Sequence, residues 1–250
     1  MSSRKKREIS QRHELILDKS RELFICHGYH SVTMDMIAKE MEYSKGTIYQ
    51  HFDSKECIIT SLCTRFCTLV YKLFHCVEQQ SELNPRLQML LILEAFIQLQ
   101  EICQDDVQIK NLADSQPFST KVPAELIDQS CQIEHQTFAI VIGIVNRAID
   151  SQQLKLKAKS SAEDVAIGCW ALAHGISTLI QTKGSSNTFA FPPLGDLLRT
   201  NSQLYLDGVG WESYSLTEQR LQFITEFSEK FKLIIDEYCS STLAPQEITR

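Results

Sequence analysis

Apolar residues recur at helical spacing along most of this chain, and the pattern predicts a protein built of helices. A first helix is predicted over about residues 10–27, because one face carries residues at helical spacing, namely Leu15, Ile16, Ser20, Leu23, Phe24 and His27. Gly28 follows, at a position where a helix end favours a left-handed residue. No stretch has the alternation typical of a β-strand, so the predicted fold class is all-α.

Residues 31–56 predict two short helices joined by a tight turn. Thr33 is a good N-cap for the first, Glu42 and Tyr43 form the turn, and Ser44 caps the second. This arrangement indicates a helix-turn-helix, a motif that places its second helix in the major groove of DNA. We therefore predict an N-terminal three-helix helix-turn-helix domain, followed by a larger helical bundle for ligand binding and dimerisation.

The recognition helix is predicted from Lys45 to Phe52. Ile48 and Phe52 are four residues apart, so they share one face and point inward. Lys45 and Thr47 can then reach phosphates or base edges, and Gln50 can pair with adenine. The alternative interpretation is a short helix with an ordinary polar surface, on which the serine is only a cap. The predicted DNA-binding residues, including those at helix starts that can hold phosphate, are Thr33, Ser44, Lys45, Gly46, Thr47, Tyr49, Gln50, His51 and Lys55.

The remainder predicts longer helices. A fourth helix is predicted from Ser54 past Leu73, with Asp53 and Glu56 at the spacing of a capping box. Residues 185–217 contain Gly, Pro, Asn and aromatic residues without a clear period, so they are predicted to be mostly loop. The other helices are predicted over about residues 85–102, 107–112, 124–151, 161–183 and 217–240.

Charge is distributed unevenly along the chain. Residues 1–72 hold 12 Lys/Arg and 9 Asp/Glu, whereas the rest holds 13 and 22, so a basic head precedes an acidic body. This favours DNA contact at one end only. We predict a DNA-binding domain over 1–73 and a ligand-binding and dimerisation domain over 74–250. The basic run at residues 4–7 is either a frayed tail or an arm that follows the DNA backbone or enters the minor groove.

The nine cysteines are scattered through apolar helical patterns and do not have the spacing of a disulfide framework. Because no signal peptide is apparent, we expect reduced thiols in the cytoplasm. No uninterrupted apolar run reaches membrane-spanning length, so no membrane partner is expected. Cys63 and Cys67 stand four residues apart, as do Cys131 and His135, and core packing is the favoured interpretation because a metal needs further ligands. No cofactor and no metal site are predicted.

Many spaced positions near the N-terminus agree with one known pattern. They are Leu23-Phe24, Gly28-Tyr29, Ile37-Ala38, Ser44 to Tyr49, Phe52 and Ser54 to Glu56. This stretch resembles the TetR family of bacterial transcriptional regulators. In the body, Trp170, His174 and Gly175 resemble a Trp-x-x-x-His-Gly signature seen in some C-terminal domains of that family. Two residues depart from the pattern: Glu42 stands where such turns usually carry Gly, which requires a strained or different backbone, and Met36 replaces a residue that is commonly charged.

The resemblance implies a homodimer, joined through the last two long helices at about 161–183 and 217–240, that binds a pseudo-palindromic operator. Two recognition helices about 34 Å apart would enter successive major grooves. A small, largely apolar ligand would tilt the fourth helix and release the protein from DNA, most commonly as a repressor. His174 either binds a ligand or a metal or is a buried histidine bonded to backbone, the favoured interpretation. The candidate ligand-binding residues, for which core packing is the alternative, are Phe96, Cys131, His135, Phe138, Trp170 and His174.

Two rival hypotheses remain. An enzyme using Cys/His chemistry is disfavoured because the sequence has no nucleophile–base motif, no Gly-rich phosphate loop and no complete metal set. A structural or ligand-sensing helical dimer with degenerate DNA binding is the second, and Glu42 in the turn is the feature that raises it.

Overall fold

The computed structural model describes residues 3–115, 121–157, 159–183, 191–212 and 217–243. Within these ranges the regular structure is helical apart from one isolated bridge between Leu154 and Trp211. The predicted all-α class is therefore confirmed. The helices are α1 Ser3–His27, α2 Met34–Glu40, α3 Lys45–Tyr49, α4 Lys55–Glu78, α5 Pro85–Ile102, α6 Gln104–Ser115, α7 Ala124–Asp150, α8 Ala162–Lys183, α9 Leu194–Gly208 and α10 Glu218–Leu243.

Local signals in the sequence set several helix ends. Gly28 ends α1 in the left-handed region with φ +75°, and its N–H donates to the Phe24 carbonyl at 3.0 Å. Pro85 begins α5, where its missing N–H is not needed. Ser161 and Asp164 form a reciprocal capping box at the start of α8, each side chain accepting from the other residue's backbone N–H.

Other boundaries differ from the prediction. The first helix begins at Ser3 rather than near Ser10, so the basic run is helical. Ser54, not Asp53 with Glu56, caps α4, because its Oγ accepts from the Cys57 N–H at 3.1 Å. The recognition helix α3 ends at Tyr49, before Phe52, and α6 is longer than the stretch 107–112.

The largest correction concerns the predicted loop at 185–217, part of which lies outside the described residues. Its centre forms α9, which begins after Pro193 and buries Leu198 and Leu206 completely or nearly so. Tyr205 of this helix packs on α8 where Gly168 leaves room, since a Cβ at Gly168 would lie 1.8 Å from the Tyr205 Oη. Gly168 therefore permits a close approach of α9 to α8, whereas Gly175 has nothing within 4 Å of its Cβ position.

The chain forms two compact units, each assembled from separate stretches of sequence. The first comprises residues 1–69, 103–134 and 235–250, and the second comprises 70–102 and 135–234. These units are not two consecutive segments, so the division at residue 73 stays a prediction about function.

The first unit has an apolar core and a buried polar network. Ile16, Ile37 and Ile48 are fully buried in the core. Asp106 of α6 is 4% exposed and accepts from the Arg21 guanidinium of α1 at 2.8 and 3.2 Å. The Tyr238 hydroxyl of α10 donates to the same carboxylate at 2.9 Å. This network ties together helices from the start, middle and end of the chain.

The second unit contains a smaller apolar cluster and a buried arginine. Leu93 and Ile97 of α5 pack with Ala173 of α8 and Leu198 of α9. Arg86 is 2% exposed and donates to the Gln203 side chain, the Asp207 carboxylate and the Glu212 carbonyl, the last two at 2.5 and 2.8 Å. The guanidinium therefore fixes the start of α5 to α9 and to the segment that follows it.

Two of the described helices are long and apolar enough to cross a membrane by length and composition alone. Neither is an uninterrupted apolar run, since α4 contains Arg65 and α8 contains His174, and one or two such helices are weak evidence for a membrane span. The apolar window of α4, Lys55–Glu78, is 61% buried, as in the core helix of a globular protein, whereas the window of α8 is only 22% buried. Burial in the core therefore accounts for the apolar residues of α4 but not for those of α8, which would be covered if α8 contacted another protein.

Candidate nucleic-acid interface

The caps predicted for the helix-turn-helix are present. Thr33 Oγ1 accepts from the Met36 N–H at 3.2 Å and starts α2. Ser44 Oγ accepts from the Thr47 N–H at 3.1 Å and lies 2.8 Å from the Thr47 hydroxyl. Both caps satisfy N–H groups that have no partner within their own helix. The two interactions of the Ser44 hydroxyl also leave it occupied, which supports the interpretation that Ser44 is mainly a helix cap.

The turn between α2 and α3 accepts Glu42 by adopting a left-handed backbone with φ +55°. The Tyr43 N–H donates to the Ala38 carbonyl at 2.9 Å, and the Glu42 N–H donates to the Lys39 carbonyl at 3.1 Å. These two bonds form a Schellman motif, whose left-handed position favours Gly. The glutamate therefore keeps the geometry of the turn at a conformational cost, as the sequence predicts.

The recognition segment, residues 44–52, turns its apolar side chains inward as predicted. Ile48 is fully buried and Phe52 is 4% exposed, whereas Tyr49 is 49% exposed. The Lys45 ammonium forms an ion pair with the Asp35 carboxylate of α2, and both side chains remain largely exposed. An exposed pair of this kind contributes less than about 1 kcal/mol, so a phosphate can replace the carboxylate. The side chains that remain exposed here are those of Ser44, Lys45, Tyr49 and Gln50, with Gly46 exposed beside them and Thr47 and His51 half-buried.

Helix α1 supports both ends of this segment. The Arg12 guanidinium lies 5.6 Å from the centre of the Tyr43 ring, and the His13 imidazole stacks on Phe52 with centroids 4.3 Å apart. The His51 ring is 5.8 Å from His13. Burial lowers the pKa of both imidazoles, and the neighbouring His13 and Arg12 lower the pKa of His51 further. At neutral pH this surface therefore carries uncharged imidazoles beside a fixed positive charge.

The prediction that Lys55 binds phosphate requires its ammonium to face solvent, but the structure turns the ammonium inward. Its Nζ donates to the backbone carbonyls of Tyr29 and Val32 at 2.6 and 2.8 Å. The ammonium also lies 4.2 Å from the centre of the Tyr29 ring. Burial lowers the pKa of Lys55. In this conformation the side chain holds the connection between α1 and α2, so we leave it out of the proposed DNA contacts.

A buried carboxylate beside Lys55 has no counterpart in the sequence prediction. Glu56 accepts from the Tyr29 hydroxyl at 2.7 Å and from the Lys121 ammonium at 3.0 Å. Burial raises the pKa of Glu56, but these two bonds outweigh burial and hold it below the ordinary value, while burial and the bond to Glu56 raise the pKa of Tyr29 to about 12. Capping-box spacing hid this role, because it assigned Glu56 to the helix end.

Comparison with known proteins decides what this domain is. Residues 16–62 match the profile of the family described as bacterial regulatory proteins, tetR family. The N-terminal domain belongs to the TetR family. The TetR-type domain is also 45% identical over 47 residues to the HTH-type transcriptional regulator UidR of Escherichia coli strain K12, a stretch that covers 19% of this chain and 24% of UidR. The match therefore spans about a quarter of that relative.

Solved structures extend the likeness to the whole fold. A bacterial regulatory protein in the tetR family from Rhodococcus RHA1 has a TM-score of 0.62 at 14% identity, over 80% of this chain and 98% of that one. SmeT, described as the repressor of the Stenotrophomonas maltophilia multidrug efflux pump SmeDEF, has a TM-score of 0.57 at 16% identity, over 79% and 90%. The architecture of the chain, a TetR-type domain followed by a helical body, is that of these TetR-fold proteins, and the matched family consists of transcriptional regulators rather than enzymes.

The predicted ligand-binding residues do not form an evident site. Cys131, His135, Trp170 and His174 are exposed, so the favoured interpretation of His174 as a buried histidine bonded to backbone is wrong. Phe96 is half-buried against the cluster around Leu93 and Ile97. Among the described residues no group of three or more His, Cys, Asp or Glu side chains could hold a metal ion, and all nine cysteines are free. The six candidates are Phe96, Cys131, His135, Phe138, Trp170 and His174, of which only the two phenylalanines are turned even partly inward.

Proposed function

We propose that this chain is a dimeric transcriptional regulator of the bacterial cytoplasm that binds a pseudo-palindromic operator. The observation that carries the proposal is the recognition segment of the TetR-type domain. Its apolar side chains are buried, and Lys45, Tyr49 and Gln50 stand outward on a helix whose start is capped. A lysine binds phosphate or guanine, a glutamine reads adenine, and a tyrosine can clamp the backbone. Thr33, Ser44, Gly46, Thr47 and His51 complete the proposed contact surface.

The proposed dimer interface centres on α8. Ile167, Trp170 and Leu179 are 51%, 59% and 54% exposed. Ile167 and Trp170, three residues apart, share one side of α8, and Leu179 lies on another side nearer the end of the helix. On α10, Leu221 and Leu233 are 47% and 70% exposed. Exposed apolar side chains gathered on two helices favour a contact with another protein surface. A second copy of the chain is the proposed occupant, because a two-fold pair would carry two recognition segments to successive major grooves, about 34 Å apart.

We propose that a small, largely apolar molecule is the effector and that it releases the repressor from DNA. The described helix proposed to contact it is α5, whose buried residues are mostly apolar, although Arg86, Gln88 and Glu94 are among them, and Phe96 lies on its partly exposed side. Such a ligand acts only through its differential affinity for the DNA-binding and released states. An uninterrupted α4 from Lys55 to Glu78 supports a mechanism in which movement at one end of the helix reaches the other.

The test begins with selection of bound fragments from the genome of the source bacterium, followed by titration of a selected duplex. We expect salt-dependent binding that Lys45→Ala with Tyr49→Ala weakens at least 30-fold, because several phosphate and base contacts are lost in each protomer. A matched control replaces Lys39 and Tyr71, residues of the same types outside the recognition segment, by alanine. Equal binding by the Lys45/Tyr49 variant and the wild type would show that the assigned surface is wrong.

The same titration separates this proposal from a helical dimer with degenerate DNA binding. Such a protein would remain dimeric and would enrich no fragment over bulk genomic DNA. The retained turn at Glu42 supports the DNA-binding hypothesis, because the backbone of the motif is preserved despite the missing glycine.

A further inference from the structure

The basic run at residues 4–7 lies outside the helix-turn-helix, and the structure places it in the first turns of α1 rather than in an extended arm. Residues 4–11 are all exposed. Arg4 is already paired with Glu8 one turn on, at 2.9 Å from Nε to Oε1. A helix spreads consecutive residues around its axis, so these four cations cannot all point in one direction.

The contacts of α1 define which of them point toward the recognition segment. A helix turns by about 100° per residue, so residues seven apart lie within about 20° of one another. Lys5 therefore lies on the same side of α1 as Arg12, and Lys6 on the same side as His13. Arg12 contacts Tyr43, the residue before the recognition segment, and His13 contacts Phe52, its last residue.

The two arginines of the run point elsewhere. Arg7 is turned by about 120° or more from both Arg12 and His13, and Arg4 by about 80° and 180° from them. The four side chains carry the same charge, but the helical geometry divides them into two pairs: Lys5 and Lys6 lie on the sides of α1 that carry Arg12 and His13, and Arg4 and Arg7 do not.

We propose that Lys5 and Lys6 bind phosphates of the duplex next to the operator half-site, so that α1 extends the DNA contact beyond the recognition segment. Seven residues of helix span about 10 Å, which corresponds to roughly three phosphates along one strand. The chemistry fits: a lysine binds phosphate as a point charge, needs no fixed orientation and reads no base. This inference rests on the proposed function, because it requires the helix-turn-helix to be bound.

The experiment compares two double variants of the full chain with the same change in charge, Lys5→Gln/Lys6→Gln and Arg4→Gln/Arg7→Gln. The probe is a duplex selected by the wild-type protein, either trimmed to the protected half-sites or extended by several base pairs of flank. We expect the lysine variant to bind the extended duplex roughly 10- to 100-fold more weakly at low salt. Its salt dependence should be shallower by about 4 in log–log slope, since two phosphates are lost in each protomer of a dimer.

The arginine variant should stay within about threefold of the wild type, and trimming the flank should remove the difference between the lysine variant and the wild type. Equal losses in both variants would show that only net charge matters, and no loss in the lysine variant would show that α1 does not reach the duplex; either result overturns the inference. Lys45→Ala/Tyr49→Ala on the same probe distinguishes the two proposals. If that variant loses binding and the lysine variant does not, this inference alone fails, whereas if the wild type selects no DNA, both fail.

Discussion

The imidazole of His13 stacks on the phenyl ring of Phe52, with their centroids 4.3 Å apart. This contact joins α1 to the end of the recognition segment, and it buries a titratable group at the surface proposed to face DNA. His51 lies beside it, with a ring centroid 5.8 Å from that of His13. The stability of this domain should therefore depend on pH in the range where histidines titrate.

We expect the free energy of unfolding to fall between pH 7.5 and pH 5.5. Burial holds the folded-state pKa of His13 and His51 below their unfolded values, so the unfolded chain binds more protons as the pH falls. Their contribution is complete above the unfolded pKa and is lost as the pH falls through the folded pKa. Denaturant titrations at several pH values should show a smaller loss for His13→Gln/His51→Gln, while the exposed control His135→Gln follows the wild type. Parallel curves for all three proteins would contradict the prediction.

The left-handed backbone at Glu42 predicts an unusual effect of glycine. Glu42→Gly should raise the free energy of unfolding by up to about 1 kcal/mol, because it removes the cost of a side chain at φ +55°. Glu42→Val should lower it by about 1–2 kcal/mol, because a β-branched residue tolerates that region poorly. Thermal or denaturant unfolding measures both changes. Glu40→Gly, two residues earlier within α2, is the matched control and should destabilise by about 1 kcal/mol.

The two glycines of α8 should respond oppositely to alanine. Gly168→Ala places a Cβ within 1.8 Å of the Tyr205 hydroxyl, so Tyr205 must move and lose its 3.3 Å bond to the Val165 carbonyl. We expect a loss of about 1–3 kcal/mol in the free energy of unfolding. Gly175→Ala meets nothing within 4 Å in the single chain and should be neutral or stabilising by up to about 1 kcal/mol. A smaller loss for Gly168→Ala than for Gly175→Ala would show that the Tyr205 contact is not tight.

The proposed interface predicts that one aromatic side chain controls assembly. Trp170→Glu places a charge on the exposed face of α8 and should raise the dimer dissociation constant by at least about 30-fold, since central tryptophans commonly contribute 2 kcal/mol or more. Analytical ultracentrifugation over a range of concentrations measures this. Ile102→Glu is the control, because Ile102 is also an exposed apolar residue, 39% accessible, but lies at the end of α5. Equal dissociation of both variants, or of neither, would place the interface elsewhere.

The parts of the site that sequence could predict depend on neighbours along the chain. Thr33 and Ser44 bond to residues three positions away, and Ile48 and Phe52 are separated by one helical turn. Such interactions are visible as spacing. Lys55 illustrates the opposite case, because its partners are the carbonyls of Tyr29 and Val32, more than 20 residues away. No local pattern distinguishes that lysine from one that faces solvent.

The missed helix α9 has the same physical origin. It follows Pro193 and contains Gly195, Asn201 and Ser202, which are weak helix formers. Its stability comes from packing, chiefly the fully buried Leu198 and the contact between Tyr205 and α8. Tertiary packing commonly overrides propensity in this way. Likewise, the sequence predicts a helix over 161–183, but it cannot show that Trp170 of that helix is exposed.

The Asp106 carboxylate accepts hydrogen bonds from residues far apart in the sequence, since Arg21 precedes it by 85 positions and Tyr238 follows it by 132. A truncated chain that ends before Tyr238 removes one hydrogen-bond donor from the buried Asp106 carboxylate, which also holds Arg21 of α1, and so disturbs the packing of α1. Weakened operator binding by such a truncated protein would then reflect a displaced α1, the helix that packs on the recognition segment. It would not identify the C-terminal residues as a DNA-contacting segment. Tyr238→Phe in the intact chain removes only the hydroxyl, and it therefore measures what this hydrogen bond from α10 contributes.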